Sequence, residues 1–94
     1  MSVWTTCDIT ATTVVEHHVS IIELIKQAAM KLHCDEVTVT EHSVNTKGSL
    51  RYHKCDASFC ADSEWAIDIL KEIQHVLDEQ CQHFLITVTR LEIS

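Results

Sequence analysis

Histidine and cysteine side chains, which bind soft metal ions and take part in nucleophilic catalysis, occur in two mirrored pairs along the chain. The stretch RYHKCDASFC, residues 51–60, places His53 two residues before Cys55, and Cys81 stands two residues before His83. On a β-strand both members of such a pair point to the same face, because side chains alternate with a period of two residues. Each pair therefore offers two neighbouring ligands if the segment that carries it is extended.

Constellations that activate a nucleophile or an acid–base pair are not recognisable in the sequence. None of the five cysteines stands in a local motif that would supply a base and an orienting group. The paired acids Asp35–Glu36 and Asp78–Glu79 flank predicted helix ends, where solvated acids are common. The single glycine, Gly48, excludes the glycine-rich loops that bind phosphate groups. We therefore predict that the chain is not an enzyme.

Length and composition predict one folded domain over residues 1–94. A chain of 94 residues has room for one hydrophobic core, and 46% hydrophobic with 22% charged residues is ordinary for a globular protein. No stretch approaches the roughly 20 apolar residues of a membrane span, and no secretory leader pattern is present. Five cysteines without the spacing of a disulfide framework favour reduced thiols and a cytosolic location.

The chain is acidic in both halves. Its 14 Asp and Glu residues against 7 Lys and Arg give a formal net charge of −7, and no basic tract occurs. Affinity for nucleic acid depends largely on cations that neutralise phosphates, so direct binding to nucleic acid is not expected. A basic protein partner fits this charge better.

Periodicity in the sequence predicts four strands and two helices. Apolar and polar residues alternate from Val3 to Thr12, the pattern of a strand with one buried face. Capping-box patterns follow at Thr13–Glu16 and at Ser20–Glu23, and the helical spacing of the apolar residues favours a helix start at the first. The remaining predicted elements are a strand at 37–42, a hairpin turn at 45–48, a strand at about 49–59, a helix capped by Asp62 or Ser63, and a strand at 84–93.

The element order β-α-β-β-α-β predicts an α+β, ferredoxin-like fold. Its economical form is a four-stranded antiparallel sheet in the order 4-1-3-2, with both helices on one face. This plan serves enzymes, RNA-binding proteins, metal carriers and ligand sensors alike, so it does not identify the function. Function has to be inferred from the side chains that the fold brings together.

The predicted strand order limits the possible metal sites. Strands three and four are separated by strand one, which places their equivalent side chains roughly 9–10 Å apart. Zinc bonds of about 2.0–2.3 Å do not span that distance, so the two mirrored pairs do not share an ion. The set that survives is His17, His18, Cys81 and His83 at one end of the sheet, a mixed nitrogen and sulfur set suited to zinc or copper. The alternative is surface histidines with reduced thiols and no cofactor.

An acidic stripe is predicted along the second helix. Its four residues recur at helical spacing opposite Trp65, Ile69 and Ile73, and steps of four residues rise about 6 Å each, close to the phosphate spacing of a nucleic-acid strand. Such a stripe could occupy a basic groove of another protein, although a solvated helix face is the alternative interpretation. The stripe consists of Glu64, Asp68, Glu72 and Glu79.

The sheet face away from the helices is predicted to carry an apolar patch of Trp4, Leu85 and Leu91. Exposed apolar patches often mark interfaces, so we expect a homodimer that forms through open sheets. A register error of one residue would exchange the two faces. The other residues predicted on this face are Thr6, Thr10, Thr38, Thr40, Arg51, His53, Thr87 and Thr89.

These observations predict a small, acidic, non-catalytic binding module that regulates or inhibits a protein partner. The partner class that fits the acidic stripe is a basic nucleic-acid-handling protein, as for small accessory proteins of phages or mobile elements. Two alternatives stay open. One is a metal-binding or metal-responsive protein that uses the His/Cys set, and the other is an oligomeric small-ligand sensor with a pocket at a subunit interface.

Overall fold

The computed structural model describes residues 4–93, so Val3, at the start of the first predicted strand, lies outside the described residues. Four strands form one antiparallel sheet, and two helices pack on one of its faces. We call the face under the helices the inner face and the opposite face the outer face. The elements are β1 (Trp4–Glu16), α1 (Ile21–Lys31), β2 (Val37–Lys47), β3 (Leu50–Asp62), α2 (Ser63–Gln80) and β4 (His83–Ile93).

The strand order is β2-β3-β1-β4, and each neighbouring pair is antiparallel. Read from the opposite edge, this is the predicted order 4-1-3-2, so the predicted ferredoxin-like fold is confirmed. The central strands are β1 and β3, and the edges are β2 and β4. None of the helices within residues 4–93 is both long and apolar enough to cross a membrane.

The core lies between the inner face and the two helices. Along β1 and β3 buried positions alternate with more exposed ones, so every second side chain points towards the helices. Ile9 and Phe59 from the sheet, Ile25 from α1 and Ile69 from α2 are at most 1% exposed. Burying an apolar side chain of this size stabilises the fold by about 1.5–3 kcal/mol. This layer therefore holds the helices on the sheet.

The boundary between β1 and α1 differs from the prediction. A helix start at Thr13 is wrong, because β1 continues to Glu16 and Ser20 is the N-cap of α1. The Ser20 side chain accepts a hydrogen bond from the backbone N–H of Glu23 at 3.3 Å. Residues 12–15 are Thr-Thr-Val-Val, and such β-branched side chains favour a strand. Residues 12–14 pair with both β3 and β4, so the segment stays in the sheet although Thr13–Glu16 fits a capping box.

The α1 helix ends in a Schellman motif. His33 donates its backbone N–H to Met30 O at 2.9 Å, and Cys34 donates to Ala29 O at 2.9 Å. This geometry requires a left-handed residue, and His33 takes that conformation with φ of 64°. Glycine usually occupies such a position because it has no Cβ.

Each edge strand carries a β-bulge. In β2 the extra residue is His42, because Glu41 and Ser43 pair with consecutive residues of β3. In β4 the extra residue is Thr89, since its two neighbours pair with consecutive residues of β1. Beyond this bulge the alternation of β4 is reversed, so Leu91 pairs with buried Cys7 and faces inward.

Two groups of predicted outer-face residues are therefore misplaced. Leu91 lies on the inner side, because the bulge at Thr89 shifts the register. Arg51 and His53 also belong to the inner side, because His53 pairs with buried Thr13 and Arg51 stands two residues before it on the same strand. The apolar patch predicted for the outer face is thus divided between the two sides of the sheet.

Candidate functional site

A polar patch crosses all four strands on the outer face. Residues paired across antiparallel strands point to the same side, so the patch forms two rows. We call these eight residues the outer-face patch. In the order β2, β3, β1, β4, the first row is Thr40, Asp56, Thr10 and Thr87, and the second is Thr38, Ser58, Asp8 and Arg90.

Hydroxyl groups hold both carboxylates of the outer-face patch. Thr10 Oγ1 donates to Asp56 Oδ1 at 2.7 Å, and Ser58 Oγ donates to Asp8 Oδ1 at 2.6 Å. Both bonds join β1 to β3, so each carboxylate is fixed by a neighbouring strand. An ionised carboxyl accepts up to about four hydrogen bonds. Asp56, with a side chain 45% exposed, and Asp8, 29% exposed, therefore keep acceptor capacity towards solvent.

The two bulges border the outer-face patch from opposite edges. On β2, His42 Nε2 contacts Asp56 Oδ2. On β4, Thr89 Oγ1 donates to the backbone carbonyl of Asp8 at 3.2 Å, and Arg90 Nη1 lies 3.8 Å from Asp8 Oδ2. Bulges redirect side chains and are frequent beside functional sites. Their position makes the outer-face patch the leading candidate site.

Six of the eight residues of the outer-face patch, all except Thr10 and Thr87, line a shallow depression of about 230 Å³. Arg90, the cation of the patch, also contacts Glu92, so its charge is shared with an acid outside the patch. His42 and then Thr10 hold the pKa of Asp56 below its usual value, which keeps this carboxyl ionised at neutral pH. The site is rich in acceptors and bears no excess of positive charge. It suits a small ligand that donates hydrogen bonds, such as a hydroxylated amine.

The hydroxyls of the outer-face patch are not arranged for nucleophilic catalysis. A hydroxyl nucleophile needs a base such as imidazole in hydrogen-bond contact with its proton. Ser58 donates instead to Asp8, whereas His42 contacts Asp56. Thr10 likewise donates to Asp56, so neither hydroxyl directs its proton to the imidazole.

Burial makes most of the thiols poor nucleophiles and poor metal ligands. It raises the pKa of Cys55 and of Cys81 to about 11, and it also raises the pKa of Cys7 and Cys34. The thiolate is the form that reacts and binds metal. All five cysteines are free, and these four pack as small apolar side chains.

His53, which stands two residues before Cys55 on β3, is 4% exposed. Its Nε2 lies 3.9 Å from Glu41 Oε2, and its Nδ1 is buried without a hydrogen-bond partner among the described residues. Burial lowers the pKa of His53; Glu41 opposes this shift and Arg51 adds to it. The ring is therefore kept neutral inside the fold.

The four predicted metal ligands do not form one cluster. His17 and His18 are joined by Glu16, and the ligand atoms of these three residues all lie within 4.8 Å of one another. No other set of three or more candidate ligands meets this limit in the part of the chain that the structure describes. Cys81 and His83 are therefore not grouped with the two histidines.

The acidic stripe predicted for partner binding lies on α2, where two of its carboxylates contact neighbouring side chains. Glu72 Oε1 is 3.0 Å from Lys31 Nζ of α1, and Glu79 Oε1 is 2.9 Å from His75 Nε2. An ion pair with an exposed cation such as Lys31 contributes about 0–1 kcal/mol, so it masks the charge of Glu72 more than it stabilises the fold. The exposed acids that complete the stripe are Glu64 and Asp68.

Apolar side chains are exposed on both sides of the sheet. Trp4, 49% exposed, and Leu85, 65% exposed, lie on the outer side as predicted. Leu91, 61% exposed, instead lines an apolar groove of about 200 Å³ between β4 and α2. Its neighbours in the groove include Ile67, Leu70, Val88 and Ile93. The predicted dimer interface remains a prediction.

Sequence reasoning placed Thr10, Thr38 and Thr40 on the outer face but missed the two carboxylates beside them. The signal was present, because Asp8 stands two residues before Thr10 and Asp56 two residues before Ser58. On a strand each spacing puts an acid and a hydroxyl on one face. The contacts that the bulge residues His42 and Thr89 make with the outer-face patch could not be predicted from the alternation of apolar and polar residues.

The sequence matches no protein-family model. It also has no match among curated proteins. Among solved structures, the fold is similar to a protein of Thermus thermophilus described as a PII-like signaling protein, with TM-score 0.59 and 14% identity over 100% of this chain and 92% of that one. It is similar to CPII from Thiomonas intermedia K12, bound to ADP and bicarbonate, with TM-score 0.55 and 8% identity over 97% and 90%. CutA from Synechococcus elongatus PCC7942, complexed with Bis-Tris, gives TM-score 0.52 and 15% identity over 98% and 85%. At these identities the likeness establishes the fold alone.

Proposed function

We propose that this chain is a non-catalytic regulatory module that binds a small polar ligand on the outer-face patch and acts as an oligomer. The observation that carries the proposal is the set of fixed carboxylates, Asp8 and Asp56, held by hydroxyls from neighbouring strands. Acceptors that are already oriented bind a donor ligand without a further ordering cost. The local charge favours a hydroxylated or cationic ligand over a polyanion.

The descriptions of two structurally similar proteins agree with a regulatory module that binds a small ligand. One is described as a PII-like signaling protein, and another was solved with ADP and bicarbonate. Identities of 14% and 8% make these names support for a ligand-responsive module, and they do not identify the ligand of this chain.

The openness of the site supports the proposed oligomer. Ligand pockets usually enclose about 300–1,000 Å³ and bury most of the ligand surface. The depression of about 230 Å³ on one chain supplies a floor without high walls. A second copy would provide them, and exposed apolar side chains of β4 such as Leu85 and Leu91 offer contact surface. Light scattering should give a mass that is a multiple of 10.7 kDa, and the mass of one chain would contradict this part of the proposal.

The acidic stripe of α2 remains the predicted surface for a protein partner. It lies on the helical layer, on the other side of the sheet from the outer-face patch. Ligand and partner would therefore occupy different layers of the molecule. Glu64 and Asp68, whose charges are not masked by the ion pairs of α2, would contribute most.

Calorimetric titration tests the ligand proposal. Bis-Tris, a hydroxylated amine, is the first probe, with ADP and bicarbonate titrated separately. Asp56→Asn removes a charge that a donor ligand would contact, and a lost charge-assisted hydrogen bond of about 1.5–3 kcal/mol weakens binding at least tenfold. Asp68→Asn, a matched loss of charge on α2, should leave the affinity unchanged. Equal affinities of Asp56→Asn and the unmodified protein would rule out the outer-face patch.

A further inference from the structure

We infer that Glu16, His17 and His18 form a binding site for a divalent transition-metal ion at the turn between β1 and α1. Their carboxylate and imidazole ligand atoms all lie within 4.8 Å of one another. This inference does not rest on the proposed ligand site, because the turn lies beyond the outer-face patch at the far end of β1.

The backbone of this turn is held in place on both sides. Glu16 pairs with Leu50 as the last residue of β1. The His17 N–H donates to Ser49 O at 3.1 Å, and the Val19 N–H donates to Glu16 O at 3.0 Å. Fixed backbone positions lower the entropy that three ligands lose when they converge on one ion. The side chains themselves stay exposed and free to adjust.

The ring geometry agrees with ligands that share one ion. The centroids of His17 and His18 are 5.8 Å apart, with the ring planes at 86°. A zinc–nitrogen bond of about 2.0–2.1 Å, plus about 1 Å from nitrogen to ring centre, puts each centroid about 3 Å from the metal. Two rings on one ion are therefore about 5 Å apart at a tetrahedral angle and about 6 Å apart when they face each other across it. The observed separation lies within this range.

The donor atoms need only a small closure to reach bonding positions. In tetrahedral coordination with bonds of about 2.1 Å, two ligand atoms on one ion are about 3.4 Å apart. The three donors already lie within 4.8 Å, so closing these distances by up to roughly 1.4 Å completes the set. Exposed side chains make such adjustments by changing rotamer.

The donor set indicates the class of metal. Two imidazoles and one carboxylate, without sulfur, suit Zn²⁺, Ni²⁺ and Cu²⁺, with Cu²⁺ the tightest in the usual affinity order. A thiolate from Cys81 is not expected to contribute, because burial raises the pKa of that thiol to about 11. Three protein ligands leave positions for water, as in an open site. The net charge of −7 further favours cation binding.

Calorimetric titration of the untagged protein with Zn²⁺, and separately with Cu²⁺, tests this inference. We expect one ion per chain. His17→Ala and His18→Ala should each weaken binding at least about tenfold, because losing even an outer-shell partner typically costs 10–100-fold. Glu16→Gln keeps the length of the side chain and removes its charge, so it should also weaken binding. His75→Ala removes an exposed histidine elsewhere and should change nothing.

The outcomes separate this site from its alternatives. In electron paramagnetic resonance of the Cu²⁺ complex, two nitrogen ligands should be seen, and one of them should disappear in either single variant. Loss of binding in Cys81→Ser or His83→Ala, with His17→Ala unaffected, would overturn the inference in favour of the other end of the predicted set. No saturable binding, or binding that none of the variants changes, would also overturn it. Asp56→Asn should keep metal binding, so failure of the outer-face patch and failure of this site are distinguishable.

Discussion

At the scale of single residues, the role of a side chain here depends on the strand opposite it. Asp8 and Asp56 are ordinary strand residues in the sequence, and they become fixed acceptors because Ser58 and Thr10 face them across the sheet. His53 shows the reverse. It was predicted on the outer face, yet it is buried on the inner side of the sheet, as Cys55 is. Residue type and spacing predict which side chains of a strand share a face. Whether that face is the inner or the outer one depends on how the strand pairs with its neighbours.

The buried neutral His53 makes stability depend on pH. Its pKa is lowered in the folded protein, so the unfolded chain takes up a proton that the folded state resists. This contribution is complete above the unfolded pKa of about 6.5 and is lost as the pH falls below it towards the folded pKa. We predict that the free energy of unfolding falls as the pH decreases below about 6.5, by at most about 1.4 kcal/mol per pH unit from this group.

Urea denaturation across that range measures the effect. His53→Leu, which removes the titrating group, should flatten the dependence of stability on pH. His75→Gln, at an exposed histidine of α2, serves as the control and should leave it unchanged. A full pH dependence in His53→Leu would show that another group is responsible.

At the scale of elements, the number, type and order of helices and strands could be predicted from periodicity, while two kinds of detail could not. The helix start moved from Thr13 to Ser20, because the β-branched run before Glu16 pairs on both sides within the sheet. The bulges at His42 and Thr89 leave no mark in the alternation pattern until the register is known. The bulge at Thr89 explains why Leu91 faces inward and why Arg90 was missing from the predicted outer face.

The end of α1 offers a test of local backbone strain. His33 occupies the left-handed position with φ of 64°, which costs a non-glycine residue about 1 kcal/mol. We predict that His33→Gly raises the free energy of unfolding by about 1 kcal/mol and the melting temperature by about 4–8 °C. His33→Ala keeps the Cβ and should give no gain. Unchanged or lower stability of His33→Gly would contradict this account of the helix end.

At the scale of the whole molecule, the two layers leave the sheet with one covered face and one open face. The inner face holds the core, whereas the outer face presents carboxylates and hydroxyls in two rows. Composition predicted the acidic character and the single core, because both follow from residue counts. The outer-face patch could not be predicted in the same way, because its residues come from four strands that meet only in the folded sheet.

The two candidate binding surfaces, the acidic stripe of α2 and the outer-face patch, differ in how their carboxylates are paired. In the stripe of α2, Glu72 is paired with Lys31, whereas the carboxylates of the outer-face patch are held by neutral hydroxyls and by His42. The outer-face patch is therefore the surface most suited to a small donor ligand.

The most direct test is a nuclear magnetic resonance titration of ¹⁵N-labelled protein with Bis-Tris. The account predicts that saturable shifts concentrate at the backbone amides of Asp8, Thr10, Asp56, Ser58 and Arg90, and that Asp56→Asn abolishes them. Shifts confined to α2 or to the groove between α2 and β4, or the same saturable response in Asp56→Asn, would contradict it.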